Sequence, residues 1–224
     1  MKKTITVPDN INDITLGQYQ KYLVVSKDID GEFLKQRTVE VFCKLAFHEA
    51  ISMSYKDLNE TYEHIVKILN DKSSFIHRFK IDDEEFGFMP DLENITSGEY
   101  ADLNNYISKE EEMHKAMAVM FRPITKTYKD KYDIMEYNGT EHFADIMKYM
   151  PLGAALGAML FFWTLANDLV NGIQLSIKQE VVESIKQNTK RSVKSGDFTL
   201  ISTHLQKEMS EDLIKLLNLD YINV

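Results

Sequence analysis

FIHRFKIDDEEFGFMPDL, Phe75 to Leu92, departs from the pattern on either side of it. Phe75, His77, Phe79 and Ile81 alternate with other residues, and Phe86 and Phe88 resume the alternation after a polar tip. Period two with aromatics predicts a β-hairpin over about 75–89, turning at Asp82 to Glu85. Pro90 ends it, because proline has no N–H to give to a ladder. One such hairpin inserted among helices predicts a mainly α, bundle-like single domain. YKDKYDIMEYNG, Tyr128 to Gly139, adds at most one further short strand.

Upstream of the hairpin the spacing is helical. In NDITLGQYQKYLVVSKD, Thr15-x-x-Gln18 forms a capping box: the Thr side chain accepts a backbone N–H and Gln18 reaches back to the cap. FLKQRTVEVFCKLAF continues as a helix, with Val39, Phe42, Cys43, Ala46 and Phe47 as its apolar stripe. Ser54-x-x-Asp57 opens a further helix that buries Leu58, Tyr62, Ile65 and Leu69.

Downstream, Ile95-Thr96-x-Gly98-Glu99-Tyr100 repeats Ile14-Thr15-x-Gly17-Gln18-Tyr19. An internal duplication and convergence on one cap both account for this. EEMHKAMAVM extends the helical pattern as far as Arg122-Pro123, and Thr140 caps EHFADIMKYM. Pro151 either breaks that helix or takes the first position of the next one.

The segment that follows, PLGAALGAMLFFWTLANDLV (151–170), holds no charged residue before Asp168. By length it suits a bilayer span. Thr164 and Asn167 within it, and flanks with no clear positive cluster on one side, argue against insertion. Leu152, Leu156, Met159, Trp163, Ala166 and Val170 follow a heptad-like spacing, with Gly153, Gly157, Thr164 and Asn167 towards the other side. A central helix or a subunit contact is the expectation. The residues expected to make a contact are Leu152, Gly153, Leu156, Gly157, Met159, Phe162 and Trp163, with Leu213, Leu216 and Leu217 of the C-terminal segment as second choice. If Asn171-Gly172 does not end it, the helix runs to about 188. SVKSGDF then links a helical domain over 1–195, with its hairpin insertion, to a helical appendage over 196–224.

The chain has 224 residues and a net charge of -9, from 35 acids and 26 bases. That balance disfavours nonspecific binding to nucleic acid or anionic lipid. The single cysteine, Cys43, lies on an apolar stripe and reads as a small core residue. The N-terminus has no apolar run of the kind a signal peptide needs. Histidines 48, 64, 77, 114, 142 and 204 are scattered, and Ser52 stands where a zinc-protease motif beginning at His48-Glu49 needs its second histidine. The acidic runs 82–85 and 110–112 lack calcium-loop spacing, and Lys186, Lys190, Arg191 and Lys194 lack interleaved aromatics. No metal, cofactor, catalytic residue or specific nucleic-acid site is expected.

ITLGQYQKYL, FGFMPDLENITSGEYADLNNYI, KAMAVMFRPI, YDIMEYNGT and MPLGAALGAMLFFWTLANDL occur in this order over residues 11 to 170. Together they resemble a family of small proteins from the virion and assembly gene blocks of tailed bacteriophages, notably crAss-like phages of Bacteroidetes hosts. The resemblance implies a non-enzymatic structural or assembly protein. Its partners would be other phage structural proteins at the portal, at the tail or as packaged cargo, with an oligomer or ring as its form. Its place would be the virion, or the host cytoplasm during assembly. It implies no catalytic residues. The alternative is a membrane-active phage protein that inserts 149–167 during infection.

Overall fold

The computed structural model describes residues 4–71, 74–92, 94–129 and 131–164. Two compact units divide at Ala158 and Met159. The expected boundary at 195/196, the linker, the appendage and the basic cluster lie outside the described residues.

A 3₁₀ turn at Ile11–Asp13 precedes α1 (Leu16–Ser26), α2 (Gly31–Phe42), α3 (Phe47–Ala50) and α4 (Tyr55–Leu69). Thr15 and Gln18 form the expected capping box on α1, and Ser54 caps α4 through Asp57 N–H. α2 packs against both α1 and α4. Leu16, Tyr19, Tyr22, Val39, Phe42 and Ile65 are all buried in this helical layer. The stripe expected on α2 stops early. Cys43 caps the helix and Lys44 adopts φ +54°, which turns the chain, so Ala46 is exposed and Phe47 half-buried.

The hairpin forms where the alternation places it, as β1 (Arg78–Ile81) and β2 (Glu84–Phe88), with Phe79 paired to Phe86 and Ile81 to Glu84. It does not stand alone. β2 pairs with β3 (Phe121–Tyr128), and β3 pairs with β4 (Lys131–Ile134) across an irregularity between Ile124 and Lys126. The result is a four-stranded antiparallel sheet in the order β1-β2-β3-β4. The expectation of a mainly α bundle with one small hairpin is therefore corrected: the fold mixes α and β. β3 was hidden because Phe121, Arg122 and Pro123 are buried in succession while Thr125 to Tyr128 are all exposed. A strand buried on both faces at one end and solvated at the other shows no alternation.

α5 (Ser97–Tyr106) and α6 (Met113–Met120) follow the hairpin, joined through a 3₁₀ turn at Glu110–Glu112. α6 passes into β3 with no intervening residue, and packs on α5 and on α7 (Ala144–Met147). Phe121 lies 5.0 Å from Phe79 and 5.3 Å from Phe88, ring centre to ring centre, and Phe143 closes on Phe86 at 6.1 Å. Met113, Met117, Met120, Met147 and Met150 are fully buried, and such flexible side chains fill the irregular gaps of a helix-on-sheet core. On the other face of the sheet the Tyr132 ring crosses Gly87, where a Cβ would overlap it, and Tyr132 Oη donates to Phe88 O at 2.7 Å.

Candidate functional site

The segment singled out for contact begins α8, helical over the described residues 152–164. Its start is tied to the beginning of the chain. Thr15 and Pro151 form a β-bridge, Leu16 N–H donates to Met150 O at 3.0 Å, Gly17 N–H to Lys148 O at 2.7 Å, and Leu152 N–H to Ile14 O at 2.8 Å. Pro151 suits this position because the segment needs no N–H from it.

Burial along α8 does not follow the heptad-like stripe. Leu152, Ala154, Ala155 and Ala158 are fully buried, Gly153 and Gly157 are buried too, and Leu156 is only half-buried. A Cβ on Gly153 would overlap the Asn12 side chain, and one on Gly157 would lie 2.7 Å from Ser74 O. Both glycines thus admit neighbouring parts of the same chain. A bulky residue at Gly157 meets backbone, so Gly157→Leu tests the fold before it tests any assembly. Met159 is buried, Leu160 is 42% exposed, and Phe162 and Trp163 are half-buried. Leu213, Leu216 and Leu217, like Ala166, Asn167 and Val170, lie outside the described residues. Among those residues no helix is long and apolar enough to cross a membrane.

The seam between α1 and residues 148–151 borders a groove of about 410 Å³. Lys21, Lys44 and Lys148 line it, with Glu40, Gln18 and Tyr149. Three segments present the lysines. Lys21 projects from α1, Lys44 sits at the left-handed turn after α2, and Lys148 is fixed by the Gly17 hydrogen bond. Glu40 is buried and binds Arg37 at 2.5 Å, with Lys21 at 4.0 Å. Tyr149 is 69% exposed at the rim. Sequence reasoning missed this groove because its lysines are far apart along the chain and occur in no motif.

A second polar cluster lies on the outer side of β3. Arg122 Nη2 donates to Glu99 Oε1 at 2.6 Å, and both side chains are almost wholly buried. The Arg122 guanidinium stacks 5.5 Å from the centre of the Tyr137 ring, and the Tyr137 hydroxyl donates to Asp102. Burial pushes the Glu99 carboxyl up, but hydrogen bonds from Thr96 and the charge of Arg122 outweigh it and hold Glu99 below the usual range. Burial and the neighbouring Asp102 raise the Tyr137 hydroxyl. This cluster ties α5 to the sheet, though Arg122 Nε is buried without a hydrogen-bond partner.

Cys43 is buried, and burial pushes its thiol up to about 11, far from the thiolate a nucleophile needs. His114, buried on α6 with its ring Nδ1 3.1 Å from Gln20 Nε2, is held below its ordinary value by burial and by Lys148 and Lys115. Among the described residues no group of three or more His, Cys, Asp or Glu could hold a metal ion. No family model, curated protein or solved structure matches the chain.

Proposed function

We propose that this chain is a non-enzymatic structural or assembly protein of a tailed phage, acting by binding other virion proteins at the portal, at the tail or as packaged cargo. Two observations support the reading. The strings that carry the phage resemblance are neighbours in space: FGFM pairs with MFRP through β2 and β3, YDIM pairs with β3, and ITLG meets MPLG at the Thr15–Pro151 bridge. These paired stretches, up to Gly153, lie in the unit that ends at Ala158.

The binding role rests on the change along α8, from complete burial at Leu152 to a Leu160 that is 42% exposed. Single exposed apolar side chains are ordinary, and Leu160 is one of nine large ones among the described residues; its place on the segment expected to make the contact is what singles it out. The proposed contact therefore centres on Leu160, with Phe162 and Trp163 beside it. Leu213, Leu216 and Leu217 remain the second choice. Quantitative mass spectrometry of purified particles and of assembly intermediates is the test. The chain is expected in one or both at a fixed ratio to the major structural proteins. Leu160→Glu should remove it from them while its unfolding free energy stays within about 0.5 kcal/mol of wild type. Absence from both fractions would refute the reading.

A further inference from the structure

The two acidic runs in the chain have different fates. Glu110 to Glu112 is engaged at home. Lys27 approaches Glu111 at 3.9 Å, Lys109 and Lys115 reach Glu112 at 3.0 and 2.6 Å, and Gln20 donates to the Glu110 and Glu111 carbonyls at 2.8 and 3.0 Å. Asp82 to Glu85, at the tip of the β1–β2 hairpin, has no ion pair among the described residues. Asp82, Asp83 and Glu84 are exposed, and Glu85 is half-exposed. Asp82 holds φ +50°, which makes the turn tight and the acids prominent.

The groove beside α1 has the opposite sign. In a chain of net charge -9, Lys21, Lys44 and Lys148 converge on it. The carboxylates nearby are partly answered already: Glu40 by Arg37, and Asp145 by Lys148 at 2.7 Å. The groove lining thus holds three lysines and one glutamate. Lys44 has no ion pair among the described residues. It also stands where a helix most often has glycine, in the left-handed conformation just past the C-cap. An unfavourable backbone position filled by a free cation beside a groove is the kind of local strain found at binding sites.

We infer that this groove receives the acidic hairpin tip, Asp82 to Glu85, of a second copy of the chain. No residue of the hairpin lines the groove, so donor and receiver are different surfaces and the contact is head-to-tail. Repetition of such a contact closes into a ring or extends as a filament, according to the rotation between copies. Val41 and Leu45 in the groove wall and Tyr149 at its rim give the carboxylates a partly apolar surround, in which charge is screened less than in open solvent.

The test is sedimentation velocity of the full chain across a wide concentration range. Association is expected in about 0.01 M salt and should weaken at least about tenfold in about 1 M salt, as the Debye length falls from about 30 to about 3 Å. Lys44→Gly should weaken it while the thermal midpoint holds or rises, because glycine suits φ +54° better than lysine. A groove variant (Lys21→Glu, Lys44→Glu, Lys148→Glu) and a tip variant (Asp82→Lys, Asp83→Lys) should each be monomeric alone. Mixed, they should associate again, because the unaltered tip of the groove variant fits the unaltered groove of the tip variant and the reversed charges also pair. Circular dichroism melts show that each variant is folded. The inference is overturned by a wild type that stays monomeric at low salt, by association that survives either reversal, by Lys44→Gly leaving it unchanged, or by a mixture that does not pair. These outcomes are read on the purified protein, so they stand apart from whether the chain occurs in phage particles.

Discussion

α1 and α5 begin with the same words and end in different places. Each opens on a threonine that accepts the N3 N–H at 3.2 Å, and each N3 side chain returns to the threonine N–H, Gln18 at 3.0 Å and Glu99 at 2.8 Å. Beyond the cap nothing matches. Gln18 turns its amide to the Val41 and Phe42 carbonyls at 3.0 and 3.2 Å, and so satisfies the end of α2, whereas Glu99 accepts from the buried Arg122. Tyr19 is 3% exposed and Tyr100 63%. Gly17 lies under Lys148, while nothing comes nearer than 4.0 Å to a Cβ placed on Gly98. A capping box fixes where a helix starts. Which face is then buried, and what the N3 side chain does with its spare atoms, is decided by the neighbours.

The sharpest break in the comparison is at Arg122. Arg122→Met strands Glu99 as a buried carboxylate and should cost about 3–5 kcal/mol in urea unfolding. The same pair gives a pH signature. Folding holds Glu99 below the 4.5 of a free glutamate, so wild-type stability is present above that value and is lost as pH falls through the lowered one. The variant should lose much of that acid limb. The tyrosines come next: Tyr19→Ala empties a buried site and should cost about 3–5 kcal/mol, while Tyr100→Ala should stay within about 0.5 kcal/mol of wild type.

Gln18→Glu keeps the cap but turns a carboxylate on two carbonyl oxygens that then lose their donor, at a cost of about 1–3 kcal/mol. The glycines should give effects of opposite sign. Gly17→Val meets the Lys148 carbonyl, 3.0 Å from the new Cβ, and should destabilise by about 1–3 kcal/mol. Gly98→Ala has room, and should stabilise the protein by about 0.5 kcal/mol through the better helix residue. Thermal unfolding of the pair reads both signs at once.

The contrast also shows how much of this fold was legible. Caps are local chemistry, and Thr15, Ser54 and Thr96 announced three helices correctly. Phe79, Phe86 and Phe88 announced the hairpin because one of its faces is apolar. The partner strand gave no comparable signal. Arg122 was read only as the point where a helix stops, yet its charge is buried against a residue 23 positions earlier in the chain. The grouping of Lys21, Lys44 and Lys148 was equally hidden, since only the closing of residues 148–151 on α1 brings them together. Gly153 and Gly157 were correctly marked as points of close approach, but sequence spacing cannot say whether the approaching surface belongs to the same chain.

That closure also orders events during synthesis. The bridge joins Thr15 to Pro151, so the start of α1 stays open until almost the whole described chain has been made. Contacts of such long sequence separation form late and slowly. The alanine- and glycine-rich turns of α8 emerge from the ribosome directly behind Pro151 and meet Asn12 and Ser74 in segments already made. A chain released before residue 151 would leave that receiving surface bare.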